Sequence, residues 1–337
     1  MLGSTGCGIL GGQQQGQQRP LVFSTSGGAG TEATREGWLK PFTKQTGIEA
    51  VTQAPTDYAQ LRSMVEAGQV TWNVLFITQI LVGDEEQARS YFEPVDYSIV
   101  KAEGIPENLR RRFGVGALQY SLVLGYNNEQ LQEEPQSWAD FFDVERFPGK
   151  RAFPGSYVEY YFPLEIALMG DGVAPDELYP LDIDRALAKL DTIRDDLVFF
   201  EGASEGEQLL RDGEVVMADI YHSRTGLLEQ EGLPIRTQWN QNVAVVDYLG
   251  VAKGASRPDD SFRLIDFAVS AENNYRYTEY NPDAPVNKDS ADRIPEDLAK
   301  YLPVYGDRLE QAVNPDLNWW ATNLEEASKR YEQWLLG

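Results

Sequence analysis

The sequence predicts an α/β protein made of two lobes that extended strands connect. The chain has 337 residues, which is enough for about two domains. After residue 20, short apolar segments alternate with helix-like segments, an order that is typical of α/β folds. Two longer apolar strands, residues 120–128 and 243–254, enclose a segment of about 115 residues. That segment is long enough to form a lobe of its own.

The first 20 residues are predicted to be a disordered or tethering segment. They are rich in Gly and Gln and show no apolar periodicity. Cys7, the only cysteine, follows Ser4, Thr5 and Gly6, small residues like those before the lipidated cysteine of a bacterial lipoprotein. A Leu-like residue at position 4 and the basic and long apolar parts of such a signal are missing. Lipidation and an incidental cysteine therefore both stay open as interpretations.

The remaining elements are predicted from apolar runs and from helical spacing. Strands are predicted at residues 21–25, 48–53, 73–78, 120–126, 215–220 and 243–252. Helices are predicted at residues 31–46, 57–67, 163–169, 183–193, 206–212 and 318–336. Gly47 and Gly68 follow two of these helices as C-terminal stops. Pro41 is expected to kink or split the first helix.

The composition excludes several kinds of function. A formal net charge of −24 argues against a broad nucleic-acid-binding surface, because such a surface would repel phosphates. One cysteine and one histidine allow neither an internal disulfide nor a Cys/His zinc site. The sequence contains no run of 18 or more apolar residues, so no membrane-spanning helix is predicted. A catalytic site would have to use His222, and the sequence places neither the nucleophile nor the orienting acid that such a site needs, so a packing or cleft-lining role is predicted.

A glycine-rich loop after the first predicted strand raises the question of a nucleotide cofactor. Residues 28–33 match the pattern G-x-G-x-x-G/A. A dinucleotide site also needs an acid at the end of the second strand, whereas Glu49 opens that strand. Gly27, Gly28 and Gly30 instead leave backbone amides uncovered, and a carboxylate or another small polar ligand can approach them. A nucleotide-cofactor enzyme that uses this loop, and a tight turn without a ligand, stay as alternatives.

Seven stretches of the chain resemble a known family in their order and spacing. They are residues 37–50, 147–156, 177–191, 209–226, 250–274, 285–288 and 319–336. On these stretches, residues 21–336 resemble the extracytoplasmic solute-binding proteins of ABC importers, in the branch named for spermidine and putrescine binding.

The resemblance implies a type II periplasmic-binding-protein fold with a ligand cleft between two hinged lobes. Lobe 1 would comprise residues 21–122 and 250–308, and lobe 2 would comprise residues 123–249 and 309–337. No chemistry on the ligand, no cofactor and no resident metal are implied. The protein would be a monomer outside the cytoplasmic membrane that delivers its ligand to a membrane permease and binds no nucleic acid.

The resemblance also implies an amine subsite. Asp247 falls where polyamine-binding members place an acid against an ammonium group, Glu159 falls near a second such acid, and Tyr221 replaces an aromatic residue that stacks on the ligand's methylene chain. Charge-assisted hydrogen bonds and about 0.5–2 kcal/mol of cation–π attraction would hold such an amine. Together with the loop, the candidate ligand contacts are Ser26, Gly27, Gly28, Thr78, Ser156, Glu159, Glu201, Tyr221, Asp247 and Asp283.

Spermidine itself fits this pattern poorly. The spermidine binders of the family carry aromatic residues in the first loop, where this chain has glycines. They also carry one before the Pro-x-Asn-Lys motif, where this chain has Asp283 and Ala284, and one at the position of Val245. The predicted ligand is therefore a small amine-bearing solute, either a polyamine or an amino-acid-like or opine-like amine.

Ferric iron is the alternative ligand within the same fold. Paired tyrosines bind iron in related binding proteins, and this chain has a cluster of them at Tyr157, Tyr160 and Tyr161. Those sites usually add a histidine or an acid from the other lobe.

Overall fold

The sheet of this protein is mixed and continuous across the described chain. A computed structural model describes residues 19–156 and 161–337. Its strands are β1 Leu21–Ser24, β2 Ala50–Gln53, β3 Val74–Thr78, β4 Val115–Asn127, β5 Arg151–Pro154, β6 Leu197–Phe200, β7 Met217–Tyr221, β8 Ile235–Val251 and β9 Ala284–Pro285. They are ordered β2-β1-β3-β8-β4-β7-β5-β6, and β9 pairs with β4. All six predicted strands are present with shifted ends. The prediction lacked β5, β6 and β9.

The helices include all of those that the sequence predicts. They are α1 Gly28–Ala33, α2 Lys40–Thr46, α3 Tyr58–Glu66, α4 Gln79–Gly83, α5 Glu85–Tyr91, α6 Trp138–Phe142, α7 Pro163–Gly170, α8 Ile183–Asp191, α9 Ala203–Arg211, α10 His222–Gln230, α11 Pro258–Val269, α12 Glu296–Ala299 and α13 Leu317–Leu336. A π-helical segment, Thr34–Leu39, separates α1 from α2, and Pro41 lies in the first turn of α2. The helical residues nevertheless run without a break from Gly28 to Thr46, so the expected kink or split at Pro41 is seen only as this π-helical turn before it. The N–H of Lys40 bonds the carbonyl of Arg35, five residues back.

Two hydrophobic cores divide the molecule into two lobes, as predicted. One core contains Leu118 of β4 and Tyr248 of β8, and the other contains Tyr120 of β4 and Val245 of β8. Each of the two longest strands therefore changes core within a few residues, while the hydrogen-bonded sheet runs on through both. Such strands are the natural place for a hinge. The lobe boundaries given above stay predictions.

A third connection between the lobes follows β9. Val286 belongs to the core of lobe 1, and Val313 belongs to the core of lobe 2. Near its end this segment is tied to lobe 2, because the side-chain amide of Asn242 donates to the carbonyl oxygen of Arg308 at 2.9 Å. Val313 also forms a parallel bridge with Val243.

The parallel strands bring the candidate residues to corresponding edges of the two lobes. In lobe 1, β1 runs parallel to β2 and β3, so the loop after β1 and the end of β3 lie at one edge. In lobe 2, β5 runs parallel to β6 and β7, and these strands end at Pro154, Phe200 and Tyr221. Ligands of open α/β sheets bind outside such carboxyl ends. The fold therefore places Ser156 and Glu201 beside the same edge as Tyr221.

Candidate ligand-binding site

The first turn of α10 carries an arginine from lobe 2 to the glycine loop of lobe 1. A β-carbon placed on Gly28 would lie 3.4 Å from Nη2 and 3.5 Å from Nη1 of Arg224, and 3.6 Å from Oγ of Ser204. Gly28 has a φ of +57°, a conformation that favours glycine. The bare backbone of Gly27 and Gly28 therefore lets lobe 1 close directly onto side chains of lobe 2.

Arg224 supplies the positive charge of the site. Its side chain is 12% exposed, and its Nη1 lies 3.3 Å from Oε2 of Glu207. Glu207 is shared, because Arg211 also contacts it at 3.0 Å. A guanidinium group has five N–H donors in a fixed fork that suits a carboxylate. Arg224 and the adjacent loop backbone can thus hold the anionic end of a ligand.

The prediction missed Arg224, although it quoted the stretch that contains it. One signal could have identified the residue. Tyr221 ends β7 and α10 begins at the next residue, so a side chain in the first turn stays at the same edge as Tyr221.

Two carboxyl groups form the negative part of the site. Asp247 pairs with Thr78 of β3 and with Leu118 of β4 in the sheet, and the hydroxyl of Tyr120 donates to its Oδ1 at 3.1 Å. Asp283 is 8% exposed and accepts a 2.5 Å hydrogen bond at Oδ2 from the side-chain amide of Asn281. Its Oδ1 has no hydrogen-bond partner among residues 19–156 and 161–337. An ammonium group can satisfy such an oxygen.

The causes of the pKa shifts of the two acids indicate which charged groups lie near each other. Burial and the negative charge of Asp283 together raise the pKa of Asp247 to about 7. Burial raises the pKa of Asp283 to about 6 against the opposing effects of Ser223 and of the charge of Arg224. Asp283 therefore lies within electrostatic reach of both Asp247 and Arg224. Groups of opposite charge are therefore brought together in one region of the protein, which we call the charged compartment.

Tyrosine rings enclose this compartment. Tyr221 contacts Tyr120 edge to face, with ring centroids 5.3 Å apart, and stacks on Tyr161 at 5.1 Å with an interplanar angle of 18°. Tyr277 approaches from lobe 1, and its hydroxyl would lie 3.0 Å from a β-carbon on Gly30. Both acids raise the pKa of Tyr277, after burial, which places its ring near them. Such rings can cover a short methylene chain and attract a cation.

The remaining predicted ligand contacts are divided between the first loop, the edge of lobe 2 and the start of α4. Ser26 lies in the first loop, its Oγ 3.5 Å from the position of a β-carbon on Gly30. Ser156 donates to Oε2 of Glu201 at 3.0 Å, and these two form a pair at the edge of lobe 2. Thr78 is buried, and its hydroxyl caps α4 by accepting the N–H of Leu81 at 3.2 Å. Residues 1–18, with Cys7, and Glu159 lie outside the described ranges.

Four observations bear on the alternatives of iron and nucleotide binding and on a membrane span. Tyr157 and Tyr160 lie outside the described residues, and Tyr161 is packed against Tyr221. Within the described ranges, no group of three or more His, Cys, Asp or Glu residues could hold a metal ion. Glu49 precedes β2, so the acid of a dinucleotide site is absent from the end of that strand, Gln53. Of the helices in the described part of the chain, none is long and apolar enough to cross a membrane.

Comparisons with known proteins agree on one class. The family model described as bacterial extracellular solute-binding protein matches residues 37–303. The gamma-aminobutyric acid-binding protein of Pseudomonas aeruginosa is 30% identical over 328 residues, which cover 95% of this chain and 92% of that protein. The solved structure of a receptor for GABA (γ-aminobutyric acid) is 35% identical, with a TM-score of 0.85 over 94% of this chain and 98% of that one.

The conformation of the chain matches a ligand-bound relative. AgtB of A. tumefaciens in complex with agropinic acid is 30% identical and superposes with a TM-score of 0.87 over 95% of this chain and 100% of that one. AttC of Agrobacterium tumefaciens in an open unliganded conformation is 29% identical, covers 94% of this chain and 100% of its own, and superposes with a TM-score of only 0.70. The higher TM-score against the ligand-bound relative is in keeping with the contact between the lobes, where the guanidinium of Arg224 reaches the glycine loop of lobe 1.

Proposed function

Because the chain belongs to the bacterial extracellular solute-binding proteins, we propose that it is the receptor subunit of an ABC importer for a small amino acid whose amine and carboxylate lie at opposite ends, as in GABA. The receptor binds this ligand between its lobes, leaves it chemically unchanged and delivers it to a membrane permease. The observation that supports the proposal best is that Asp283 lies within electrostatic reach both of Arg224 and of Asp247.

Each end of the ligand has its own partners in this proposal. The carboxylate binds the guanidinium of Arg224 and the backbone of Ser26, Gly27 and Gly28. The ammonium group lies between Asp247 and Asp283, where it satisfies the unpaired carboxylate oxygen. The methylene chain packs on the rings of Tyr221, Tyr120 and Tyr277.

The same arrangement disfavours a polyamine. A diamine would place its second ammonium group against Arg224, where like charges repel each other. An aliphatic carboxylate would in turn meet the two acids. Only a ligand with both charges matches both ends. The curated relative named for GABA binding supports this choice, since it is 30% identical to this chain, whereas a curated relative named for spermidine and putrescine binding is 24% identical.

Closure of the lobes follows from the division of the contacts. Lobe 2 supplies Arg224 and Tyr221, while lobe 1 supplies the glycine loop and Asp283. A ligand gains both sets of contacts only when the lobes are closed, so it shifts the equilibrium toward the closed state.

Titration calorimetry at pH 8 with four probes tests the proposal. We expect GABA to bind, and n-butylamine and butyrate, which each lack one charged group, to bind about 10- to 100-fold more weakly. Putrescine should bind more weakly than GABA. Tighter binding of putrescine than of GABA, or no heat with GABA, would reject the proposed ligand class. Recovery of GABA unchanged after incubation tests the absence of turnover.

A further inference from the structure

The only histidine of the chain lies between the two lobes, at the ligand-bearing turn. We propose that His222 is a positioning residue that fastens this turn of lobe 2 to lobe 1 in the closed state and thereby slows ligand release. We name the arrangement of His222 between the backbone of Ser121 and Pro282 the histidine clamp. The clamp extends the proposed function and does not depend on the identity of the ligand.

The hydrogen bonds of His222 define its tautomer. The ring is 1% exposed. The backbone N–H of Ser121 donates to Nδ1 at 3.1 Å, so Nδ1 must carry a lone pair. Nε2 lies 2.8 Å from the carbonyl oxygen of Pro282, which can only accept, so Nε2 must carry the proton. Both nitrogens are satisfied only when the imidazole is neutral.

The two partners of the ring belong to different lobes. Ser121 lies on β4 between Tyr120 and Leu122, which are both in the core of lobe 2. Pro282 lies in the segment between Tyr277 and Val286, which are both in the core of lobe 1. Opening the cleft therefore breaks the bond from Nε2 to Pro282, while the bond to Ser121 stays within one lobe.

The neighbours of the clamp are proposed ligand contacts. Tyr221 directly precedes His222, and Arg224 follows two residues later. Asp283 directly follows Pro282. One bond from the ring to Pro282 thus holds the arginine turn and the acid segment in register. This contact is independent of the ligand, so it adds to the stability of the closed complex.

The surroundings of the ring keep it neutral in the closed state. Trp239 packs against it with ring centroids 5.5 Å apart, and the guanidinium of Arg308 lies 4.0 Å above the ring of Trp239. Burial, together with the charge of Arg308, lowers the pKa of His222 to about 4, although the hydrogen bond to the carbonyl oxygen of Pro282 opposes this shift. A solvated histidine has a pKa of about 6.5. Acid therefore disfavours closure, and this effect grows as the pH falls from about 6.5 toward 4.

Binding kinetics test the clamp. In stopped-flow measurements with GABA at pH 8, we expect His222→Leu to raise the dissociation rate by at least about tenfold and to leave the association rate unchanged, because the clamp forms after encounter. His222→Gln should retain most of the slow release, since its amide can donate to Pro282 and accept from Ser121. An unchanged dissociation rate in His222→Leu would overturn the clamp.

Tyr331→Phe is the matched control. The hydroxyl of Tyr331 donates to the carbonyl oxygen of Pro154 at 2.6 Å, a buried bond to a proline carbonyl that lies within lobe 2 alone. Its loss should lower the melting temperature without changing ligand release. If Tyr331→Phe accelerates release as much as His222→Leu does, the effect is general destabilisation and the clamp is rejected.

A disulfide between the lobes tests the clamp without any ligand. Gly28→Cys and Ser204→Cys, in a Cys7→Ser background, place two thiols where the β-carbon of residue 28 and Oγ of residue 204 lie 3.6 Å apart. In the oxidised, closed protein, nitrogen NMR of the single histidine should show the Nε2–H tautomer and a pKa below 5. An ordinary pKa of His222 in the oxidised protein overturns the clamp, whether or not GABA binds. Failure of GABA to bind the natural chain rejects only the ligand class.

Discussion

At one end of the cleft, two carboxyl groups are carried by strand β8 and by the residue before β9; at the other end, one guanidinium group is carried by the first turn of a helix. Asp247 is fixed by its neighbours in the sheet and by the hydroxyl of Tyr120. Arg224 is held by a single carboxylate, Glu207, which it shares with Arg211. The acid end is built into the hinge strands, whereas the arginine end moves with lobe 2.

This difference divides the work of recognition. Burial raises the pKa values of both acids, and the negative charge of Asp283 also raises that of Asp247. An incoming cation therefore relieves an existing electrostatic cost. Arg224 already has a partner and meets the glycine loop only on closure. We therefore expect changes at the acid end to affect binding most and changes at the arginine end to affect the choice among ligands.

Loss of the hinge-strand acid should have the largest effect on affinity. Asp247→Asn removes the charge that faces the ammonium group, and we expect GABA binding to weaken by about 2–5 kcal/mol. Calorimetry measures this loss. Asp266→Asn is the control, because Asp266 accepts the N–H of Lys101 on the surface of lobe 1, away from the cleft. Equal affinities of Asp247→Asn and the natural chain would remove Asp247 from the site.

Loss of the arginine should have a smaller effect that depends on the ligand. Arg224→Gln should weaken GABA binding by about 1.5–3 kcal/mol, the usual contribution of a hydrogen bond to a charged group. Binding of n-butylamine, which has no carboxylate, should be unchanged or tighter. Arg185→Gln, which breaks an exposed 2.7 Å contact with Asp171, is the control. If Arg224→Gln weakens both ligands equally, the guanidinium does not bind the carboxylate.

The acid pair should also make binding depend on pH. The ammonium group requires ionised acids, and their pKa values are about 7 and about 6, so affinity should fall as the pH drops below 7. A single proton taken up on release gives about a tenfold change per pH unit. Asp283→Asn removes the negative neighbour of Asp247 and should shift the onset to lower pH. An identical onset in Asp283→Asn would show that the two acids do not interact.

The sequence predicted the acid end better than the arginine end, for a physical reason. Asp247 and Tyr221 lie on strands, where alternation and family-like spacing define which edge a residue reaches. Arg224 lies one turn into a helix, and only the exact end of β7 decides that it faces the loop. The closed approach of Gly28 to Ser204 depends on how two lobes meet, which no local pattern describes.

The fold was predicted well where apolar runs are long. The strands around residues 120–128 and 243–254 indicated two lobes, and two cores are present. β5 and β6 were missed although they are as long as β1 and β2, which were predicted. They pair with each other from positions distant in sequence. His222 was expected to pack or to line the cleft. Its two backbone partners, Ser121 and Pro282, lie 101 and 60 residues away, beyond the reach of sequence spacing.

The smallest effect on binding is expected at a third buried acid. Asp219 lies on β7 in lobe 2, and neither of its carboxylate oxygens has a hydrogen-bond partner in the described part of the chain. Burial raises its pKa well above the ordinary value. Its neutral form is thus favoured by folding, a stabilising contribution that is present in full below the unfolded pKa of about 3.9 and is lost as the pH rises through the folded pKa.

Asp219→Asn separates burial from recognition. The variant has no charge to bury, so its advantage in unfolding free energy over the natural chain should grow by about 1.4 kcal/mol per pH unit above pH 4, until the folded pKa is reached. Urea unfolding at several pH values measures this difference. Affinity for GABA should be unchanged, because the acid faces the lobe interior. If Asp219→Asn instead weakened binding as much as Asp247→Asn does, burial of a carboxyl group alone, and not its position in the cleft, would explain the effect on affinity.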